Sequence, residues 1–369
     1  MEHLESVVIG AGQAGLSTAY HLKRLGVGPF VVLDANEAPG GAWQHRWDTL
    51  TMDDVHGVSD LPDQALPTHA PTDRANEVVP AYFADYERRH ALPVRRPVEV
   101  RAVRPVDDDP TGWLRVEMRD GALLTRTLVN ATGTWDSPFL PHYPGAPSFR
   151  GRHLHTVGWR GPHEFVGKRV VVVGGGASAV QILGELAPVA DTLWVTRREP
   201  VWRTSEFTPD AGRAAVALVE ERVAAGLPPR SVVDVTGLML RPQEEEARRL
   251  GAYDRQPMFE RVEPEGVRWA DGRFEAVDAI VWATGFRQSV EHLGPLGLRT
   301  AEGGIQLRAP FDRHTFTTAV RDERVNLVGY GPSASTIGAN RAGRVAARAT
   351  QRWLAEHAGG EAAEAQAGA

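Results

Sequence analysis

Two glycine-rich turns in this chain have the spacing of loops that hold a phosphate group. They share the pattern GxGxxG or its variant with a final alanine, formed by Gly10, Gly12 and Gly15 in the first turn and by Gly174, Gly176 and Ala179 in the second. The first two glycines let a pyrophosphate approach backbone N–H groups at the start of a helix, and the third position allows close helix–strand packing. Two such turns predict two dinucleotide sites, with Ser178 beside the second.

The residue that ends the strand after each turn indicates which nucleotide is bound. Asp34 ends the strand after the first turn, where a carboxylate can bind the two hydroxyls of an adenosine ribose. The equivalent strand of the second turn ends in Arg197 and Arg198, which can hold a 2′-phosphate. We therefore expect tightly held FAD at the first turn and transient NADPH at the second.

Two Ala-Thr-Gly turns are further candidates for cofactor contacts. Each ends a hydrophobic strand: LVNATG contains Thr132 and Gly133, and AIVWATG contains Thr284 and Gly285. Such turns are expected where the chain crosses between domains and passes a cofactor. We assign the first pair to FAD and the second to NADPH.

The elements that must position these residues occur twice. Residues 5–34 and 168–198 each have the apolar pattern of a strand, a helix and a strand, with a glycine turn after the first strand. This repeat predicts an α/β fold with two Rossmann-like dinucleotide-binding domains of the three-layer type. Between the two units, a helix opened by Pro80 is predicted over residues 80–91.

We predict that the NADPH domain is inserted into the FAD domain. The FAD domain would cover residues 1–155 and 286–356, and the NADPH domain residues 156–285. A helical segment at about 200–260 would form the roof of the substrate site. The small and polar tail over residues 357–369 is expected to be disordered.

The composition excludes several classes of protein. The 369 residues include no cysteine, which removes disulfides, thiolate metal sites and the cysteine pair of disulfide reductases, and no metal site is predicted. A net charge of −6 gives no general attraction to nucleic acid or to an anionic membrane. Because no apolar run could span a bilayer and the first strand leaves no room for a signal peptide, we expect a cytoplasmic protein.

Several segments together resemble the class B flavoprotein monooxygenases, the group of the flavin-containing, N-hydroxylating, YUCCA and Baeyer–Villiger enzymes. These segments are the two glycine turns, the motif Gly40-Gly41-Ala42-Trp43, the run ATGTWDSPFLP, and the spacing Phe149-x-Gly151-x-x-x-His155-x-x-x-Trp159. The last spacing is the most specific. It departs from the Baeyer–Villiger form at Arg160, where that form usually has proline or aspartate. The resemblance extends from residue 1 to about residue 290.

The resemblance implies a reaction. NADPH would reduce the flavin, and O2 would then add at flavin C4a as a (hydro)peroxide while NADP+ stays bound. A small organic substrate would take one oxygen atom at nitrogen, at sulfur or at a carbonyl. Gly41 and Trp43 would contact FAD.

The resemblance also implies that the segment from Phe149 to Trp159 joins the two domains. Gly151 would permit a bend, and the two aromatic residues would anchor the segment on either side. His155 would supply a hydrogen bond across the junction. A buried histidine without a chemical role is the alternative for His155.

The stretch over residues 46–62 lies over the flavin in relatives. Here it contains Asp53, Asp54 and His56, which are candidates for proton donors or polar substrate contacts. A solvated loop accounts for these residues equally well.

A C-terminal helix is predicted to end near residue 354 and to be capped by Ser335 or Thr336. Its N-terminus, if it points at the pyrimidine end of the flavin, would stabilise the reduced anion. A plain surface helix is the alternative.

Three functions remain open from the sequence. The first is a monooxygenase, and the second is a flavin reductase or oxidase that passes electrons to a protein, a quinone or a metal species. The third is a regulator that binds flavin and NADPH without turnover. The substrate is not identified, and either a monomer or a homodimer is expected.

Overall fold

The computed structural model describes residues 1–55, 57–202, 209–229, 237–238, 240–241, 244–308 and 315–358, with residues 209–216 as backbone only. Its strands are β1 (His3–Ile9), β2 (Phe30–Leu33), β3 (Val94–Arg95), β4 (Val100–Pro105), β5 (Leu114–Met118), β6 (Gly121–Asn130), β7 (Arg152–His155), β8 (Arg169–Val173), β9 (Asp191–Thr196), β10 (Gln256–Pro257), β11 (Arg261–Glu263), β12 (Gly266–Arg268), β13 (Phe274–Ala276), β14 (Ala279–Trp282) and β15 (Val325–Leu327). Its α-helices are α1 (Gln13–Arg24), α2 (Ala75–Arg89), α3 (Ala177–Leu186), α4 (Pro209–Ala224), α5 (Glu244–Arg249) and α6 (Thr336–Glu356).

The first sheet organises the first unit into three layers. β3, β2, β1 and β6 are parallel neighbours, and β6 also pairs with β15 in parallel and with β5 antiparallel. β5 in turn pairs antiparallel with β4 at the edge of the sheet. Successive residues of β1 face opposite sides, because side chains alternate along a strand. Val8 therefore packs in the cluster that includes α1, α2 and α6, whereas Val7 packs against the antiparallel strands.

The second sheet contains β10, β9, β8, β14 and β7, all parallel. α3 packs on one face, and the small antiparallel sheet of β11, β12 and β13 packs on the other. β7 pairs with β14, so residues 152–155 lie in the second sheet. This places the first crossing between the sheets earlier than the predicted boundary at residue 155.

Two elements differ from the sequence prediction. α2 begins at Ala75, so Pro80 lies inside the helix instead of opening it. The lost N–H at Pro80 is offset by the burial of Tyr82, Phe83 and Tyr86 on the inner face. The stretch EAVDAIVWATG predicts one strand over residues 275–285, but the structure divides it into β13 and β14, which belong to different sheets.

The predicted roof segment contacts both units. Val223 of α4 packs with Ile305, Leu307 and Tyr330 of the first unit. α5 follows, and Tyr253 just after it donates its hydroxyl to the carbonyl of Val180 on α3, at 3.1 Å. The described part of this segment is therefore not confined to the second unit.

Two further features concern membrane spanning and the C-terminal tail. No helix in the described ranges combines the length and hydropathy that a bilayer crossing requires. Of the tail predicted to be disordered, residues 357–369, only the first two are described, and the N–H of His357 donates to the carbonyl of Trp353 at 3.1 Å as the C-cap of α6. Residues 359–369 lie outside the described residues.

Candidate cofactor and active site

The two glycine turns are built alike, each against the Ala-Thr-Gly turn of its own sheet. Gly10 has a φ of +100°, and a Cβ on it would lie 2.6 Å from the carbonyl oxygen of Ala131. Gly174 has a φ of +141°, and a Cβ on it would lie 2.1 Å from the carbonyl oxygen of Ala283. Both positions therefore accept only glycine, for its conformation and for its lack of a side chain.

Both turns lead into helix N-termini that can receive an anion. α1 and α3, each described in full, have glycine N-caps (Gly12 and Gly176), no side-chain cap and no acidic residue in the first turn. A Cβ on Gly176 would meet no described atom within 4 Å. Unpaired N–H groups at the positive end of a helix and free space beside them suit a pyrophosphate.

Three segments expected around the flavin meet at Gln13, the first residue of α1. Its Nε2 donates to the carbonyl of Ser59 at 3.1 Å and to Oδ1 of Asn340 on α6 at 3.0 Å. Oγ1 of Thr336 accepts from the N–H of Ser59 at 3.2 Å. The Oε1 of Gln13 is buried and has no partner among the described residues, so it is an acceptor that a bound ligand could satisfy.

The C-terminal helix has the predicted cap. Ser335 is the N-cap of α6, and its Oγ accepts from the N–H of Gly338 at 3.0 Å. Thr336 is the first helical residue, and its hydroxyl is bonded to Ser59 instead of to its own helix. The start of α6 and the loop over residues 57–60 therefore form one connected unit.

Asp34 lies at the end of β2 and is 4% exposed. Its Oδ2 accepts from Nε of Arg96 at 2.9 Å, and its Oδ1 accepts from Nδ2 of Asn36 at 3.0 Å. Arg96 also donates two bonds to Glu87, at 2.7 and 2.5 Å. Oδ1 also accepts from the N–H of Asn36 at 3.4 Å. These contacts fix the carboxylate, and Oδ2 retains capacity to accept a second bond, from a ribose hydroxyl.

A third arginine joins the pair predicted to hold a 2′-phosphate. Arg197 and Arg198 follow β9 and are exposed. Arg255 donates from Nε to Oγ1 of Thr196 at 2.8 Å and pairs with Glu199 at 2.8 Å. Three arginines are thus gathered at the end of β9, where they can neutralise a phosphate.

The two segments that cross between the sheets form an antiparallel ribbon. The N–H of Phe139 donates to the carbonyl of Gly285 at 2.9 Å, and the N–H of Ser289 donates to the carbonyl of Gly133 at 3.0 Å. Pro138 and Phe286 pair between these bonds. A displacement of one crossing segment must therefore move the other.

The threonines of the two Ala-Thr-Gly turns strengthen this ribbon reciprocally. Oγ1 of Thr132 donates to the carbonyl of Ser289 at 2.5 Å. Oγ1 of Thr284 donates to the carbonyl of Phe139. Each hydroxyl proton is engaged in the opposite segment, so a cofactor could use only the remaining acceptor capacity of the oxygen.

His155 ends β7 and contacts the ribbon. Its Nε2 donates to the carbonyl of Gly285 at 3.0 Å, and its Nδ1 accepts from the N–H of Val157 at 3.3 Å. This arrangement uses both ring nitrogens of the neutral form, and burial lowers the pKa of His155. The contacts support a positional role and give no evidence of a chemical one.

Gly151 is needed for room and not for the bend expected from the sequence. A Cβ on it would lie 2.4 Å from Cζ of Phe149 and 2.5 Å from the carbonyl oxygen of Asp278. The ring of Phe149 lies over this glycine and packs into the core of the second unit, with Val171 and Trp282 among its neighbours. The contact between Phe149 and Gly151 therefore packs the start of β7 against that core.

A half-buried arginine without an acidic partner in the described part of the chain lies beside the ribbon. The guanidinium of Arg46 is 4.7 Å from the ring centroid of Trp135 and 5.9 Å from that of Trp43. Its Nε is buried without a hydrogen-bond partner among the described residues, and burial lowers its pKa to about 10. A cation held between indole rings in this way can be neutralised by an anionic group of a ligand.

Of the candidate proton donors, Asp53 and Asp54 lie in the described part of the chain. Oδ2 of Asp54 accepts from the N–H of Thr51 at 3.0 Å and from its Oγ1 at 2.7 Å, which stabilises a local turn. Asp53 is exposed. His56 lies outside the described residues. The contacts of Asp54 favour the structural interpretation over a role in proton transfer.

Two sheets, each with a phosphate-type turn between parallel strands, are typical of an oxidoreductase with two dinucleotide-binding domains, and the comparisons identify a flavoprotein. Residues 7–227 match the family described as pyridine nucleotide-disulphide oxidoreductase. A flavin-containing monooxygenase from Stenotrophomonas maltophilia is 36% identical, with a TM-score of 0.80 over 96% of this chain and 100% of that one. The chain belongs to the flavin-containing monooxygenases of this family, whose cofactors are FAD and NADPH.

Curated relatives extend the comparison. The indole-3-pyruvate monooxygenase YUCCA1 of Oryza sativa subsp. japonica is 28% identical over 77% of this chain and 77% of its own length. A Baeyer–Villiger monooxygenase of Streptomyces coelicolor is 31% identical over 54% of this chain. The match covers only 39% of the length of that enzyme.

Several residues at the site have no sequence motif that would have identified them. Arg255 is one of many arginines, and only its position beside β9 makes it a candidate. Ser59 and Asn340 are brought to Gln13 by tertiary contacts. For Gln13 there was one indication of a cofactor contact in the sequence, namely its position inside the first glycine turn.

Proposed function

We propose that this enzyme is an NADPH- and O2-dependent FAD monooxygenase that transfers one oxygen atom to a small organic molecule at nitrogen, sulfur or a carbonyl. The observation that carries the proposal is the duplicated turn. Two uncapped helix N-termini, each beside an equivalent Gly–Ala contact, provide two pyrophosphate sites in one chain. The similarity to a flavin-containing monooxygenase over nearly the whole chain supports the oxygenation reaction.

The residues of the first unit fit FAD. The turn from Gly10 to Gly15 would hold its pyrophosphate, and Asp34 would hold its ribose. The unpaired Oε1 of Gln13 lies where α1, the 57–60 loop and α6 converge, which supports a ligand there. FAD, when bound, supplies the capacity to accept a hydride and to activate O2.

The residues of the second unit fit NADPH. The turn from Gly174 to Ala179 leaves open space at Gly176, and Ser178 lies in the first turn of α3. Arg197, Arg198 and Arg255 would bind the 2′-phosphate, which NADH lacks.

The protein must also hold the FAD site and the NADPH site in a fixed relative position and exclude water from the space between them. The ribbon of the two crossing segments is suited to the first task, because both segments are hydrogen-bonded to each other. Arg46 would neutralise an anionic ligand group at the same place. Water exclusion matters because it protects reactive intermediates from side reactions.

NADPH specificity can be tested with two variants. Arg197→Ser and Arg198→Ser should each raise the KM for NADPH by about tenfold and leave the KM for NADH nearly unchanged, because only NADPH has the phosphate. Arg101→Ser, at an exposed position on β4, is the control. Equal effects on both nucleotides would contradict the assignment of these arginines.

Oxygenation can be tested by incubating the FAD-loaded enzyme with NADPH, air and a substrate panel. The panel should contain an amine, a sulfide, a cyclic ketone and a 2-oxo acid; the last two are suggested by the names of the relatives. An oxygenated product that depends on both NADPH and O2 is expected. Rapid electron transfer to an artificial acceptor without any product would instead indicate a reductase, and flavin that NADPH cannot reduce would indicate a regulator.

A further inference from the structure

One carboxylate of the second unit is bonded by three side chains from outside its own helix. Glu185 on α3 accepts from Nε1 of Trp47 at 2.7 Å through Oε1. Its Oε2 accepts from Oγ1 of Thr49 at 2.7 Å and from Nε1 of Trp159 at 3.1 Å. Trp47 and Thr49 belong to the first unit, and Trp159 follows β7 of the second unit. Glu185 is therefore a meeting point of three parts of the chain.

The donors to Glu185 are neutral. No cationic side chain in the described ranges pairs with it, and burial raises its pKa, partly opposed by the three hydrogen bonds. The carboxylate of Asp54 adds to the rise. A half-buried acid without a counter-ion contributes little to stability by itself, so its contacts are better explained by the geometry that they impose.

The donors are themselves held firmly. Trp47 is 2% exposed and Trp159 is fully buried. The indole of Trp159 stacks on Phe165 with centroids 5.2 Å apart and planes 9° from parallel. The two indole N–H groups consequently have fixed directions, and the carboxylate must stand where both can reach it.

A second contact from the same face of α3 holds the same loop. Gln181 lies one turn before Glu185, and its Nε2 donates to the carbonyl of Asp54 at 2.8 Å. Arg241, also outside the first unit, donates to the carbonyl of Asp53 at 3.2 Å. The loop from Trp47 to Asp54 is thus fixed to α3 at both ends.

We propose that Glu185 is a positioning residue that fastens the loop over residues 47–54 to α3 and thereby sets the relation between the two nucleotide sites. The inference rests on the proposed function, because the positions matter only if a hydride passes from one site to the other. The same helix α3 begins at the second glycine turn, so a shift of α3 moves the nicotinamide site relative to the loop. Glu185 itself contacts neither glycine turn and acts through its three donors.

The test uses Glu185→Gln in the FAD-loaded enzyme. Glutamine has nearly the same shape, but its NH2 group would face an N–H or O–H donor. Trp159→Phe is the second variant, because it preserves an aromatic ring for the stack on Phe165 and removes the N–H together with part of the indole. Glu245→Gln, at an exposed acid of α5, is the matched control.

Two readouts separate positioning from simple destabilisation. Hydrogen–deuterium exchange should be faster in peptides covering residues 46–55 in both variants and unchanged in the control. Anaerobic reduction of the flavin by NADPH should be slower by about tenfold or more in Glu185→Gln, with FAD content unchanged, because misplaced reactants lose rate steeply. Trp159→Phe should show the same defect in smaller degree.

The outcomes distinguish this inference from the proposed function. Wild-type enzyme that NADPH cannot reduce would contradict the proposed function itself. Normal reduction in wild type together with wild-type exchange and reduction rates in both variants would overturn the role of Glu185 alone. If Glu185→Gln does not fold, Trp159→Phe decides by the same two readouts.

Discussion

At the scale of single residues, Gly174 and Gly176 are two positions apart in the same motif but have different roles. Gly174 is required by the fold, because its φ is +141° and its Cα lies against the carbonyl of Ala283. Gly176 faces open space, so the fold would accept a methyl group there. The same motif therefore contains one structural glycine and one that leaves room for a ligand.

Substituting alanine at each position separates these roles. Gly174→Ala should destabilise the enzyme by about 3 kcal/mol, because strain and overpacking coincide. Gly176→Ala should keep the unfolding temperature and FAD content of wild type but raise the dissociation constant for NADPH by about tenfold, since the methyl group narrows the pyrophosphate site. Thermal unfolding and nucleotide titration provide the two measurements. A destabilised Gly176→Ala with normal NADPH affinity would contradict the assignment.

A second residue-scale prediction concerns pH. His292 bonds through Nε2 to Oδ1 of Asn130 at 2.7 Å, and burial lowers its pKa to about 4 from 6.5. The unfolded chain therefore binds a proton at higher pH than the folded chain, and stability must fall as pH drops from about 6.5 to about 4. His21, whose pKa is also lowered to about 4 by burial and nearby arginines, adds to the same slope.

Urea titrations at pH 7 and pH 4.5 test this assignment. In His292→Gln the loss of unfolding free energy between these pH values should be smaller than in wild type by about 2 kcal/mol. His163→Gln, at an exposed histidine, should leave the difference unchanged. An unaltered pH dependence in His292→Gln would show that another group causes the loss.

At the scale of elements, the crossing ribbon is the feature that links the two sheets. Thr132→Val and Thr284→Val each remove one hydroxyl that donates to the opposite segment. Each should cost about 1 kcal/mol in unfolding free energy and speed hydrogen exchange at residues 137–139 and 285–289. Thr125→Val removes a comparable buried bond within β6, to the carbonyl of Thr127, and is the control. It should lower stability without affecting exchange in the ribbon.

The elements also show how far sequence reasoning reaches. The strand–helix–strand units, the glycine turns and the Ser335 cap follow from local patterns, because spacing and capping are local properties. The place of Pro80 inside α2 was missed, since the packing of that helix outweighs its local signal. The contacts of Glu185 and Arg255 could not be predicted, because their partners are distant in the chain and no motif records them.

At the scale of the whole molecule, two sheets with equivalent turns are joined by the ribbon and by the contacts of Glu185. The family relation establishes an oxidoreductase of the flavin-containing monooxygenase type. The proposed hydride transfer requires the nicotinamide site and the flavin site to lie close together, and the ribbon and the contacts of Glu185 would hold them there. The predicted roof segment at about residues 200–260 carries no motif that would identify a substrate.

The most direct measurement of the central claim is the fate of molecular oxygen. The enzyme, loaded with FAD and supplied with NADPH, should be given 18O2 together with whichever panel substrate it turns over, and the product analysed by mass spectrometry. The account predicts one 18O atom in each product molecule and one NADPH consumed for each product formed. A product whose added oxygen comes from water, or NADPH consumption matched entirely by hydrogen peroxide across the whole panel, would contradict it.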